Sequence, residues 1–321
     1  MARRATKLGL SVAAAGAATY AAERWTVARW ASGPDEYRHE PRTLTGTTRY
    51  VASADGTKLH VIEAGEGPTA VLAHGFTATA HHWAPVASRL VERGLRVVVF
   101  DQRGHGRSTA INGRFGTSQL ADDLAAVIAA TAPDGAVVAG HSMGGIGIQA
   151  MLAHHPTTTD RLHGMVLIAT LSRPVSVPLG RLMSRLGGTA LARWTMAHRI
   201  HGRILARGGV GRDPAVTILD VVRHGWASCP DDTRAGVVGD LRDYDFTSML
   251  PSVDVPATVI CGDLDQVTPL AENEQIAELL PNARLEVVAR AGHSVPWEAA
   301  DRVAEIIASH ARSTKPPGDS S

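Results

Sequence analysis

The stretch VVAGHSMGGIG, Val137 to Gly147, sets a serine between glycines at the end of an apolar run. Gly140, Ser142 and Gly144 have the spacing G-x-S-x-G. In a sharp strand-to-helix turn a serine is held in a strained backbone conformation, and neighbours larger than glycine would clash. Such a turn exposes the hydroxyl beside a helix N-terminus, which is where a nucleophile is useful. The bare pentapeptide also describes an ordinary tight turn. The apolar run before it, and Ile146, Ile148, Met151 and Leu152 after it, favour the nucleophile. Two further loops carry groups that complete such a site. GDLDQVTP follows the apolar run ATVIC, and both Asp263 and Asp265 stand where a carboxylate orients a base. GHSVPWE follows LEVVARA and puts His293 just beyond the last apolar run. A lone histidine is more often structural, but here each chemistry-bearing residue follows a strand.

The elements that position these loops alternate. KLHVIEAG has the two-residue period of a half-buried strand. TAVLAHG, RVVVFD, AVVAGHS, GMVLIAT, ATVICGD and RLEVVARAG are short runs rich in β-branched residues, as expected of strands buried on both faces of a mostly parallel sheet. Helical spacing separates them at Trp83–Val91, Leu120–Ile128 and Val303–Ile307. Strand–helix alternation implies an α/β architecture with right-handed crossovers. In an open parallel sheet, ligands bind beyond the carboxyl ends of the strands, where all three loops lie. The alternation breaks between Leu171 and about Pro251. Helical stretches there surround Leu182, Leu186, Trp194, Ile204 and Leu219, implying a helical insertion too long to be a structureless loop. From Arg173 to Arg242 it carries eleven arginines, five aspartates, no lysine and no glutamate. One reading is a solvated helical face; the other is attraction to anionic lipid or an acidic substrate.

The chain of 321 residues is 44% hydrophobic and 20% charged, enough to bury a real core. A net charge of +1 and the lack of a dense basic cluster interleaved with aromatics argue against nucleic acid. Cys229 and Cys261 have no metal-ligand spacing and read as two free thiols, Cys261 being buried at a strand end, with a bridge between them as the alternative. His81–His82 and His154–His155 lack the i, i+4 spacing of a metal pair and read as solvated. Arg3, Arg4 and Lys7 precede the uncharged run Leu8–Ala22. Residues 1–30 therefore read as a signal-like or membrane-anchor segment, short for a bilayer span, with an ordinary Ala-rich helix of a cytoplasmic protein as the alternative. The polar tail 312–321 reads as disordered.

Taken together, HGF at His74–Phe76, DQRGHGRS at Asp101–Ser108, GHSMGG, and the pair GDLDQVTP and GHSVPWE resemble the α/β-hydrolase fold family, in its lid-bearing serine esterase or lipase-like form. The resemblance covers about Tyr50 to His310. It implies a core over 45–170 and 251–311 with a helical lid over 171–250. The chain order Ser142, aspartate, His293 is that of the family's triad. By resemblance Ser142 is the nucleophile, His293 the general base and Asp265 the acid, since the family's acid is the second aspartate of GDxD. The alternative family position, after the preceding strand, reads IATLSRP here and has no carboxylate. The oxyanion hole falls to the backbone N–H groups of Phe76 and Met143. His74 is implied to shape that loop, and His105 to brace a tight turn. Serine at position 142 disfavours the dehalogenase and epoxide hydrolase branches, which use aspartate. The chemistry implied is hydrolysis of small-molecule or lipid esters through an acyl-enzyme, with no metal or organic cofactor. A cofactor-free perhydrolase or haloperoxidase-like enzyme, a C–C bond hydrolase and a non-catalytic ligand-binding protein are the alternatives on the same residues.

Overall fold

The computed structural model describes the backbone of residues 2–175 and 189–312, with side chains from Gly16 onward. Its centre is one sheet of eight strands: β1 Thr47–Ala52, β2 Lys58–Ala64, β3 Thr69–Ala73, β4 Arg96–Phe100, β5 Ala136–His141, β6 Leu162–Ile168, β7 Ala257–Gly262 and β8 Ala283–Val288. They lie in the order β1-β2-β4-β3-β5-β6-β7-β8. The β1–β2 and β2–β4 pairings are antiparallel, and the remaining pairings are parallel. The sheet is thus mostly parallel, as the apolar runs imply. β5, at its middle, is buried at every residue, which explains why its sequence does not alternate. β8 departs from the two-face expectation. It is an edge strand, its residues are half-buried or exposed, and Val287 is among the exposed ones.

Helices cover both faces. On one, α3 (Thr117–Thr131) and α4 (Met143–His154) bury Leu124, Val127, Ile128, Ile148 and Met151 against Val71, Val98, Val138 and Leu167. On the other, α2 (Ala84–Glu92) and the last helix (Ala300–Arg312) bury Val86, Leu90, Val303 and Ile307 against Leu72, Val97, Val137 and Val166. The strands project alternate side chains to these two layers, so both faces need apolar residues.

The break after β6 is helical. Among the described residues the segment holds α5 (Ala190–Ala197), α6 (Arg199–Ala206), α7 (Val216–Ser228) and α8 (Asp231–Asp240), and no strand. The stretches expected around Leu182 and Leu186 lie outside the described residues, as does the tail beyond Arg312. The arginines of this insertion are not simply a solvated face. Arg203, Arg223 and Arg234 are buried; Arg203 and Arg223 share Asp220, and Arg234 pairs with Asp231.

α1 runs over Ala2–Ser32. No described helix is long and apolar enough to cross a membrane. Its last turns dock on the insertion: Glu23 pairs with His201 at 2.7 Å, and Tyr20 meets the rings of His198 and His201. Val27 is buried, and Trp30 packs on the cluster of Val210, Ile218, Leu219 and Trp297. Burying a side chain of this size is worth roughly 1.5–3 kcal/mol. Deleting residues 1–32 is therefore expected to lower the thermal midpoint by about 5 °C or more, read by differential scanning calorimetry. An unchanged midpoint would mean the docking contributes nothing.

Candidate active site

Ser142 sits between β5 and α4 with φ 53° and ψ −115°, a conformation that costs a non-glycine residue roughly 1–3 kcal/mol. The surrounding structure holds it there. The Ser142 N–H donates to Ile168 O at 2.9 Å, and its carbonyl accepts from Gly145 N, Ile146 N and Thr170 Oγ1. A Cβ at Gly140 would lie 2.5 Å from Gly144 backbone, and one at Gly144 would lie 2.1 Å from Ala73 O. The glycines flanking the serine are thus required by close approach of backbone to backbone. Three other non-glycine residues with positive φ flank neighbouring strand ends: Thr77, Ala169 and Arg290.

Asp265 and His293 meet directly. His293 Nδ1 lies 2.9 Å from Asp265 Oδ2, and because a carboxylate only accepts, Nδ1 carries the proton. This leaves Nε2 as the proton acceptor of the ring. Asp265 Oδ1 accepts the amides of Val267 and Thr268, and Oδ2 also accepts the Thr268 hydroxyl at 2.6 Å. Burial by itself would raise the Asp265 pKa. The charge of His293 and the hydrogen bonds from His293 and Thr268 outweigh it and hold the carboxyl below its ordinary value. Asp263 is exposed, so of the two aspartates the fold puts Asp265 against the imidazole.

The serine and histidine loops are joined through His141. Its Nε2–H donates to His293 O at 2.8 Å, and its ring centroid lies 4.8 Å from that of His293. Ser142 is the next residue. The loop after β3 closes the corner: a Cβ on Gly75 would lie 3.2 Å from Ser142 Cβ. In that loop the Thr77 amide is bound by His105 Nε2 and the Ala78 amide by Gly75 O. The amides of Phe76 and of Met143, the first residue of α4, have no partner among the described residues. Free amides at a helix start attract negative charge.

His74 and His105 have the bracing roles expected of them. His74 Nε2 accepts the Gln102 amide and its Nδ1–H reaches Gly75 O; His105 Nδ1–H reaches Arg103 O. His82 is a correction. It does not stand in solvent but stacks on His141 at 5.3 Å, with its Nε2 buried. Its spacing carried no signal, because the partner is remote in sequence. Trp226 of α7 was also missed. It meets Phe76 edge-on at 5.6 Å, bringing the insertion onto the free-amide loop. His155 pairs with Asp122 at 2.7 Å. Cys229 and Cys261 are free and buried, and burial pushes both thiols up to about 12.

Burial drives the pKa of His74 and His141 down, and those of His82 and His105 to about 3. These rings stay neutral in the folded protein but take protons when it unfolds below pH ~6.5. The unfolded chain then binds more protons, so stability falls as pH falls from about 6.5 toward 3. The slope reaches about 1.4 kcal/mol per pH unit for each ring. Thermal unfolding between pH 5 and 8 is expected to show a midpoint that drops steadily below pH 6.5. A flat profile would show that these rings are not held neutral.

A family model described as "Alpha/beta hydrolase family" matches residues 70–306. The chain is 30% identical to a non-heme haloperoxidase of Rhodococcus erythropolis, over 79% of this chain and 96% of the relative. It is 27% identical to a bifunctional esterase/perhydrolase of Acinetobacter calcoaceticus, over 82% and 99%. An esterase from Exiguobacterium antarcticum superposes with a TM-score of 0.73 at 21% identity, covering 84% of this chain and all of that one, a likeness of fold. With this sheet order and this serine turn, the chain belongs to the alpha/beta hydrolase family.

Proposed function

We propose that the protein is a serine hydrolase that cleaves carboxylic esters through an acyl-enzyme. The observation that carries the reading is the Asp265–His293 bond at 2.9 Å, in the corner where Ser142 is held on its strained turn. His293 Nε2 takes the Ser142 proton as the hydroxyl attacks the ester carbonyl. Asp265 keeps the ring in this tautomer and stabilises the imidazolium that forms. The Phe76 and Met143 amides receive the developing oxyanion, each worth about 3 kcal/mol in comparable sites. His293 then protonates the departing alcohol. Next it activates water, which releases the acid and restores Ser142. The β6–β7 insertion serves as the lid, with Trp226 against Phe76 as its point of contact with the oxyanion loop.

The bifunctional esterase/perhydrolase and haloperoxidase relatives favour a second reading on the same residues. Hydrogen peroxide replaces water at the acyl-enzyme and leaves as the peracid, and Ser142 recovers its proton. Supplying peroxide with an ester and following peracid formation separates the two outcomes.

Membrane association is the finer proposal for location. Trp25, Leu191, Trp194 and Leu205 stand exposed on α1 and the insertion, with exposed Arg24 and Arg199 beside them. Aromatic, aliphatic and basic residues together suit an anionic lipid surface. Cosedimentation is expected with phosphatidylglycerol vesicles and to weaken with salt. Equal binding to phosphatidylcholine vesicles, or none to either, would contradict it.

Hydrolysis of short p-nitrophenyl esters tests the catalytic roles. Ser142→Ala is expected to abolish turnover, and Asp265→Asn to lower kcat by about 10⁴-fold through the wrong histidine tautomer. Activity surviving Ser142→Ala would remove the serine from the reaction.

A further inference from the structure

We propose that Glu298 is a positioning residue for His293, holding it through the Gly292 amide and using the β6–β7 insertion as a second anchor. The proposal rests on the general-base role given to His293 above. Glu298 Oε2 accepts the Gly292 N–H at 2.9 Å, and Oε1 accepts the Gly211 N–H at 2.6 Å. Gly292 immediately precedes His293, and Gly211 belongs to the insertion. One carboxylate therefore ties both segments together.

The two segments are laced on either side of His293. The Ser294 N–H and Oγ–H both donate to Gly209 O, at 3.1 and 3.0 Å. The Arg212 N–H donates to Arg290 O at 2.9 Å. A Cβ on Gly292 would lie 2.6 Å from Val210 C, so no side chain fits in the seam. Within it, Glu298 grips the amide next to the base.

The anchor itself is fixed. Glu298 ends the short helix Val295–Glu298, whose buried Trp297 donates its indole N–H to His82 O at 3.0 Å. The Tyr37 hydroxyl donates to Glu298 O at 3.3 Å. Two facing N–H groups demand two acceptor oxygens. A glutamine would turn its NH₂ on one of them, and an aspartate is too short to reach both. Movement of the Gly209–Arg212 segment thus passes through Glu298 to His293.

The test compares full-length Glu298→Gln and Glu298→Asp with the wild type on p-nitrophenyl acetate, normalised by active-site titration and paired with thermal midpoints. Loss of one charged hydrogen bond is expected to lower kcat roughly tenfold in both variants, with KM within about twofold. Retained charge in Glu298→Asp does not rescue the rate, because reach decides it. Wild-type kcat in either folded variant, or a loss confined to KM, would overturn the positioning role; if one variant fails to fold, the other carries the same comparison. Wild-type activity in His293→Ala would instead overturn the base role, and with it the proposal. His293→Ala inactive alongside fully active Glu298 variants would overturn the positioning role alone.

Discussion

The turn at Ser142 is the constraint on which the site depends. A positive φ at a non-glycine residue is unfavourable and persists only where neighbours over-determine it. Here β3 and β6 lie on either side of β5 and supply those neighbours. The end of β3 sits against Gly144, and Ile168 at the end of β6 accepts the Ser142 amide. The same arrangement carries the His74–Phe76 loop to the serine from one side. β7 and β8, next in the sheet, deliver Asp265 and His293 from the other. Sheet order therefore converts three remote segments into one corner.

Electrostatics within that corner is divided. Asp265 is kept ionised by four hydrogen-bond donors despite its burial. Around it, His74, His82, His105 and His141 are kept neutral by burial. Neutral rings brace the loops without adding positive charge that would oppose an imidazolium at His293. His141 does this most directly, because its one donated bond goes to the backbone of His293 itself.

Much of this was legible in the sequence because it is local. Apolar runs marked β2 to β8, and the glycines around Ser142 marked the turn, since each obeys short-range steric rules. β1 was not separated from its surroundings; it is an exposed edge strand in which only Val51 is buried. The choice between Asp263 and Asp265 was not local. It rested on resemblance alone, because exposure of Asp263 and burial of Asp265 against His293 are properties of the fold. His82 and Trp226 gave no signal for the same physical reason. Each acts on a partner far away in the chain, and one sequence does not reveal such pairs. The insertion's arginine excess was legible as composition, but not the burial of Arg203, Arg223 and Arg234.

Among the described residues the insertion meets the corner around Ser142 through Trp226 on Phe76 and through Gly209–Arg212 on the His293 turn. Its position bears on both the Phe76 loop and His293. What must hold before either matters is that Ser142 is an activated nucleophile. Incubating the purified protein with a fluorophosphonate and locating the adduct by peptide mass spectrometry tests this most directly. A stoichiometric adduct on Ser142, formed far faster than on other serines, is the expected result. No adduct, or labelling elsewhere with Ser142 unmodified, would contradict the mechanism.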